Sequence, residues 1–127
     1  MEFKDKQSIY LQIADYICEQ ILLAKWPPGE RIPSVRDLAS MMEVNPNTVM
    51  RTYEFLQTKE IIFNKRGIGY SASENATALI LAYRKERFLE NELPEFFKAM
   101  YLINISMEEL QSRYQTFVAE VYPEHFN

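Results

Sequence analysis

The sequence predicts a mainly α-helical α+β fold. Two short helical patterns, at residues 34–42 and 45–58, are separated by a turn of only a few residues. Two β-forming runs then flank a basic segment with two glycines at residues 65–69. The last part of the chain, residues 74–127, shows helical patterns and no strand signal. This order is typical of a winged helix-turn-helix domain, here residues 1–73, followed by a small helical tail.

Isoleucines recur at every fourth position of the first predicted helix, which runs from about Ser8 to Ala24. This spacing predicts a scaffold helix whose apolar face packs into the core. Pro27 and Pro28 then prevent the helix from continuing. We expect Trp26 to anchor this corner by hydrophobic contact, and a ligand-binding role for it is the alternative. The isoleucines are Ile9, Ile13, Ile17 and Ile21.

Two capping patterns predict a pair of short helices that meet at a tight turn. Ser34 can accept a hydrogen bond from the backbone three residues later, and Asp37 completes a capping box. Asn45 is a favoured cap for the second helix, and Pro46 suits its first position because an N–H there would have no partner. We expect this second helix to end near Thr58. Its predicted inward face is formed by Val49, Tyr53 and Leu56.

Three polar side chains, Asn47, Thr48 and Arg51, fall near the start of the second helix and away from its apolar face. An α-helix fits the DNA major groove, and the recognition helix of this motif reads bases from its first turns. Asn can pair with adenine, Thr can meet a phosphate or a thymine methyl, and Arg can grip guanine or phosphate. We therefore predict that the three residues contact duplex DNA. An ordinary solvated first turn is the alternative.

The basic segment after the second helix is predicted to be the tip of a β-hairpin. Gly67 and Gly69 support a turn with positive φ, and Lys65 and Arg66 place positive charge on the projecting loop. Such a loop suits phosphates or a minor groove. The alternative is a turn whose charges only keep it soluble.

The stretch from Ser8 to Ala72 resembles the DNA-binding domain of the GntR superfamily of bacterial transcription regulators, and in particular its short YtrA branch. The resemblance implies that Arg36 contacts the DNA backbone and that Gly67 is the wing glycine. It also implies repression of an operon, in that branch often one encoding an ABC transporter. The motifs that carry it are PPGERIPSVRDLA, VNPNTVMRTYEFLQ and KRGIGY. The positions that correspond to the family's recognition residues are Asn45, Pro46, Asn47 and Thr48.

Two features of this stretch depart from the family pattern. Many relatives have arginines where this chain has Pro46 and Met50, so their base contacts do not transfer. Glu43 replaces the glycine common at the turn between the two helices. The resemblance therefore does not fix the backbone conformation of that turn.

The tail is rich in Leu, Phe, Tyr and Met and is small for an independent core. We predict three short helices, with a break near Leu93 and Pro94 and a second capping box at Ser106 and Glu109. Their apolar surface exceeds what such a tail can hide, so we predict a homodimer whose recognition helices meet the two half-sites of a palindromic operator. Folding back onto the winged domain is the alternative. The predicted interface residues are Leu79, Leu81, Phe88, Phe96, Phe97, Tyr101, Tyr114 and Phe117.

The net charge of −4 is unusual for a protein that binds nucleic acid. Its distribution explains part of this, because residues 31–73 carry six Lys or Arg against four Asp or Glu. The acidic excess lies mostly in the tail. A sparse basic face implies modest non-specific affinity with a strong dependence on salt.

Other classes of protein have little support in the sequence. The single His125 and the single Cys18 offer neither a metal-ligand cluster nor a nucleophilic triad, so we expect no catalysis, metal or other cofactor. The start of the chain lacks an apolar secretory core and the longest apolar run, residues 78–83, cannot span a bilayer, so we expect a soluble, cytoplasmic protein. A winged-helix module that binds a protein partner instead of DNA is the alternative function. Any effector site would lie between the tails of a dimer.

Overall fold

The computed structural model describes residues 7–125, which fall into two compact units that divide after Arg84. Residues 1–6, which include most of the predicted non-secretory start, lie outside the described residues, as do residues 126–127. The first unit confirms the mainly helical winged fold. Its elements are α1 (Ile9–Leu22), α2 (Val35–Met42), α3 (Pro46–Thr58), β1 (Ile62–Lys65), β2 (Gly69–Ala72) and most of α4 (Ala76–Arg87).

The core of the first unit forms where α1 and α2 each pack against α3. Of the predicted stripe on α1, three isoleucines are buried, whereas Ile9 at the start of the helix is 47% exposed. Helix α1 ends at Leu22, two residues earlier than predicted, because Ala24 adopts a left-handed conformation at φ 60°. Trp26 packs on the core with its ring edge against Tyr16, as an anchor of that corner. The fully buried core side chains include Ile13, Ile17, Leu38, Val49, Tyr53, Leu56, Ile61 and Ile80.

Both predicted caps are present in the helix-turn-helix. The Ser34 hydroxyl accepts the Asp37 N–H at 3.1 Å, and the Asn45 carboxamide oxygen accepts the Asn47 N–H at 2.8 Å. The turn between the helices places Glu43 in the left-handed region, at φ 57° and ψ 46°. A side chain other than glycine is strained there, so this chain retains the geometry that a glycine would provide at a cost in stability.

Helix α4 starts inside the first unit, beyond residue 73. Ala76 and Ile80 are fully buried in the core, and Leu79 packs against it. The compact winged unit therefore includes the first two turns of α4.

The second unit consists of helical segments. Its elements after the end of α4 are a π-helical turn (Phe88–Glu92), α5 (Leu93–Leu102), α6 (Met107–Val121) and a 3₁₀ turn (Pro123–His125). The predicted break near Leu93 and Pro94 is wrong, because the backbone stays helical through the π turn and Pro94 lies in the first turn of α5. Proline lacks an N–H and its ring crowds the carbonyl four residues earlier, and the wider π turn accommodates both. The predicted left-handed Asn104, at φ 60°, and the Ser106 cap on Glu109 N–H, at 3.1 Å, are confirmed.

None of the helices described within residues 7–125 has the combination of length and apolar character needed to cross a lipid bilayer.

Candidate nucleic-acid interface

The first turns of α3 present the polar residues that the sequence predicted to contact DNA. Asn47 and Arg51 are exposed, and Thr48 is half-buried. Asn45 is exposed as well, although its side-chain oxygen is engaged in capping the helix. Helical periodicity explains the arrangement, because Val49 and the buried positions of the next turn point to the core. The side chain of Asn47 is therefore available to a ligand in the groove.

Two further residues, Met50 and Glu54, share the outer face of α3 and were not predicted as site residues. Both are exposed, and they lie three and seven positions after Asn47, which places all three on one side of the helix. Met50 can make apolar contact with a thymine methyl, and Glu54 can accept a hydrogen bond from a cytosine amino group or repel a phosphate. The same spacing argument applied to every outward position would have found them.

Arg51 is held in place by a ring from another helix. Its guanidinium carbon lies 3.9 Å from the centroid of Tyr10 on α1, which is a cation–π arrangement. The Tyr10 ring in turn meets Phe55 edge to face at 5.9 Å between centroids. This support restricts the rotamers of Arg51 while leaving its charge without a carboxylate partner among the described residues.

Arg36 is the second residue of α2 and is exposed. It lies in the first turn of that helix, next to the Asp37 cap contact. The position leaves its guanidinium accessible to a phosphate, in the role that the resemblance implies.

The predicted hairpin is present and forms the wing. Strands β1 and β2 pair antiparallel, with Lys65 opposite Gly69 at the end next to the turn. Arg66, Gly67 and Ile68 form the turn, which is closed by a 2.9 Å hydrogen bond from the Ile68 N–H to the Lys65 carbonyl. Gly67 has φ 81° and Gly69 has φ 118°, so both use backbone that other residues avoid. The cations of the tip are exposed.

The segment before α2 also belongs to the wing, which the sequence did not indicate. The Gly29 N–H donates to the Ala72 carbonyl and the Ile32 N–H to the Tyr70 carbonyl, each at 2.9 Å. Arg31 lies between them and forms a bridge with Ser71 of β2. An exposed arginine is thus added to the edge of the hairpin.

A single buried tyrosine ties the recognition helix to the wing. The Tyr53 hydroxyl donates to the Pro33 carbonyl at 2.6 Å, and its ring packs edge to face on Tyr70 of β2 at 4.8 Å between centroids. Burial raises the pKa of Tyr53 well above its usual value, and the neighbouring Tyr70 and Asp37 add to the shift. The phenol therefore stays protonated and keeps its hydrogen bond at neutral pH.

A second tie joins α3 to α1. The Thr52 hydroxyl is fully buried and lies 2.8 Å from the Tyr10 carbonyl oxygen and 3.1 Å from the Thr48 carbonyl oxygen. The buried hydroxyl of α3 thus finds a hydrogen-bond partner in the first turn of α1. The recognition helix is thereby joined to α1 as well as to the wing.

Most of the residues that were predicted to form an interface between two copies lie in the second unit and are exposed there. Met100 is the one side chain buried among the described residues after Arg84. Leu79 and Leu81 belong to the first unit, and Leu79 differs from the other predicted interface residues because it packs on that unit's core. The remaining seven are between 45% and 83% exposed: Leu81, Phe88, Phe96, Phe97, Tyr101, Tyr114 and Phe117.

Comparison with known proteins agrees with this architecture. The family model of bacterial regulatory proteins of the gntR family matches residues 9–71. The HTH-type transcriptional regulator YhcF of Bacillus subtilis is 34% identical over 116 residues, which cover 91% of this chain and 94% of YhcF. The HTH-type transcriptional repressor YtrA of the same bacterium is 32% identical over 113 residues, which cover 89% of this chain and 86% of YtrA.

A crystal structure described as a GntR-family transcriptional regulator, from Bacteroides thetaiotaomicron, is similar over almost its entire length. It is 48% identical, superposes with a TM-score of 0.77, and covers 89% of this chain and 98% of its own. These relatives are named as transcriptional regulators and not as enzymes. The chain is therefore a DNA-binding transcriptional regulator of the GntR family, and its likeness to YtrA supports the branch that its motifs predicted.

Proposed function

We propose that this protein is a homodimeric repressor that binds a palindromic operator in a sequence-specific manner. The observation that carries the proposal is the exposed start of α3, held to wing strand β2 through Tyr53. A rigid pair of α3 and wing can present base-reading and phosphate-binding groups together. The proposed DNA contacts are Arg36, Asn45, Asn47, Thr48, Arg51, Lys65, Arg66 and Gly67.

Six of the proposed contacts divide into two roles. Asn47, Thr48 and Arg51 occupy the position from which a recognition helix reads base edges in the major groove. Arg36, Lys65 and Arg66 are exposed cations outside α3 and serve the sugar-phosphate backbone. Gly67 lets the turn of the wing approach the DNA without a side chain.

The homodimer is supported by the composition of the second unit. Among its described residues the second unit buries Met100 alone and leaves aromatic side chains such as Phe97 and Tyr101 facing water, which a stable domain does not do. A second copy supplies the same helices and covers this surface symmetrically. Two recognition helices then require two half-sites, so the operator is expected to be palindromic.

Repression is supported by the likeness to YtrA of Bacillus subtilis, which is named as a repressor. A transporter operon as the target, and a cytoplasmic location, follow from the resemblance to that branch. An effector, where one acts, would bind at the interface between the two tails.

The experiment that tests the proposal is selection of duplexes from a random pool by the full-length protein, followed by affinity measurements on the selected site. We expect an inverted repeat, and we expect Asn47→Ala to lose about 1–3 kcal/mol at one base pair of each half-site. Asn91→Ala is the matched control, because it removes an exposed carboxamide from the second unit. Unchanged sequence preference in Asn47→Ala would remove this residue as a reader. Failure of the wild-type protein to bind duplex at low salt would favour the protein-interaction alternative.

A further inference from the structure

We infer that Arg31 is a third phosphate-binding residue of the wing, acting together with Lys65 and Arg66. The inference rests on the proposed function, because it concerns the same contact with DNA. It assigns a role to a residue outside both the recognition helix and the hairpin tip. In the sequence, Arg31 belongs to the segment that precedes α2.

The backbone around Arg31 is fixed by pairing with β2. Hydrogen bonds from the Gly29 and Ile32 amides to β2 carbonyls lie on either side of it, and Arg31 itself bridges Ser71. The neighbouring Ile32 side chain is buried in the core, so this short segment cannot slide along the strand. Arg31 is therefore held at a set register on the hairpin.

The side chain of Arg31 extends along the hairpin toward its turn. A Cβ built on Gly69 would lie 3.1 Å from the Arg31 Nε and 3.7 Å from its Cζ, so the guanidinium lies directly against the Gly69 backbone. Gly69 is the first residue of β2 and pairs with Lys65, next to the turn. The guanidinium consequently lies near the turn that carries Lys65 and Arg66.

The charge of Arg31 has no carboxylate partner in the part of the chain that the structure describes. Arg31 is exposed, and no ion pair joins it to a carboxylate among residues 7–125. An arginine that only stabilised the hairpin would be expected to pair with an acidic side chain or to bury its guanidinium group. Here the exposed side chain lies on a bare glycine backbone, an arrangement suited to a phosphate oxygen.

The contact with Gly69 also explains why two glycines occur so close together. Gly67 has open space around the position of a Cβ, so its positive φ alone accounts for it. At Gly69 a Cβ would in addition crowd the Arg31 side chain, at 3.1 Å from Nε. The second glycine thus leaves room for the arginine along the wing.

The test is the dependence of operator affinity on salt for Arg31→Gln. Each lost phosphate contact lowers the slope of log K against log salt by about 1 per protomer in the complex. At 0.1 M salt this corresponds to roughly eightfold weaker binding per protomer. The loss should be equal on the operator and on unrelated duplex, because phosphates carry no sequence information.

Three further variants separate charge from structure. Arg31→Lys keeps the charge and should keep the slope. Arg31→Met keeps a long chain against Gly69 without the charge, and should show the reduced slope even if Arg31→Gln folds poorly. Lys59→Gln is the matched control, because it removes one exposed cation about 18 Å along α3 from Asn47, and it should leave the slope unchanged.

An unchanged slope in both Arg31→Gln and Arg31→Met would overturn the inference while leaving the repressor proposal intact. A slope that falls equally in Lys59→Gln would also overturn it, since net charge and not a contact would then be responsible. A wild-type protein that binds no duplex at any salt concentration would instead overturn the proposed function.

Discussion

The two units of this chain differ in how much of their apolar side-chain surface they bury. The first unit buries residues from every one of its helices and both strands around Tyr53 and Leu56. The second buries Met100 and leaves a series of aromatic and aliphatic side chains exposed. The first unit can therefore fold on its own contacts, whereas the second leaves an apolar surface that the proposed dimer would cover. This difference is the basis for proposing that one unit recognises DNA and the other assembles the dimer.

The largest expected effect comes from disrupting the proposed contact between the second units of two copies of the chain. Phe97→Glu places a charge in that surface, and we expect it to convert the dimer into a monomer. Loss of one of two linked half-site contacts should weaken binding to the full palindrome by about 10²–10⁴-fold. Sedimentation equilibrium and fluorescence anisotropy measure the two effects.

Thr77→Glu is the control for this substitution, because it adds the same charge at an exposed position of α4. It should leave both the dimer and the affinity intact. Binding to a duplex with a single half-site should be unaffected by Phe97→Glu. A Phe97→Glu protein that remains dimeric and binds the palindrome normally would contradict the assignment of assembly to this surface.

The next largest effect is expected when a leucine is replaced by alanine, and the loss of stability should differ between the two units. Leu56→Ala removes a fully buried side chain and should lower the free energy of unfolding by about 2–5 kcal/mol. Leu102→Ala removes a side chain that is 67% exposed, and should cost about 0.5 kcal/mol or less at protein concentrations where the chain is monomeric. Urea unfolding at two protein concentrations measures both. Equal losses of unfolding free energy for the two variants in the dilute monomer would contradict the difference in burial between the units.

Tyr53→Phe tests the tie between α3 and the wing. It leaves the Pro33 carbonyl without its phenol donor, so we expect about 1–3 kcal/mol of lost stability at pH 7. Because the pKa of Tyr53 is raised in the folded state, the unfolded chain loses this proton first as the pH rises above about 10. Wild-type stability should then fall by as much as about 1.4 kcal/mol per pH unit relative to the variant.

The measurement is urea unfolding of both proteins between pH 7 and pH 11. The other tyrosines titrate in both proteins and cancel in the difference. The stability gap between wild type and Tyr53→Phe should therefore narrow above pH 10. A difference in unfolding free energy that stays constant across this range would show that the pKa of Tyr53 is not raised in the folded protein.

The smallest expected effect concerns the turn of the helix-turn-helix. Glu43→Asn should raise the free energy of unfolding by about 0.5–1 kcal/mol, because asparagine tolerates the left-handed conformation better than glutamate. Glycine would relieve the strain too, but it also raises the conformational entropy of the unfolded chain, which offsets part of the gain in stability. Glu54→Asn, within helix α3, is the control and should be neutral or slightly destabilising. A loss of stability in Glu43→Asn would mean that the glutamate side chain makes a stabilising contribution of its own.

Local signals explain what the sequence could predict. Caps such as Ser34, Asn45 and Ser106 act on amides two or three residues away, so the starts of α2, α3 and α6 were readable from neighbouring residues. Apolar periodicity likewise identified the buried face of α3. The turn at Glu43 kept its left-handed geometry although the residue type gave no sign of it, because packing of α2 on α3 decides the conformation there.

Contacts between distant parts of the chain explain what the sequence could not predict. Arg31 joins the wing through pairing with Ser71, and Arg51 lies over Tyr10 on a different helix. Neither contact follows from periodicity or from a short motif. The predicted break near Pro94 is wrong for a related reason. A π-helical turn can accommodate a proline without ending the helix.

The central claim is that the start of α3 enters the major groove, and replacement of single purines in the operator by 7-deazapurines tests it most directly. This change removes only the N7 acceptor, which faces the major groove. We predict a loss of affinity at symmetrically placed purines of the two half-sites, and we predict that Asn47→Ala no longer senses at least one of them. Wild-type binding that is indifferent to every N7, or an Asn47→Ala protein with the same pattern of losses as the wild type, would contradict the account.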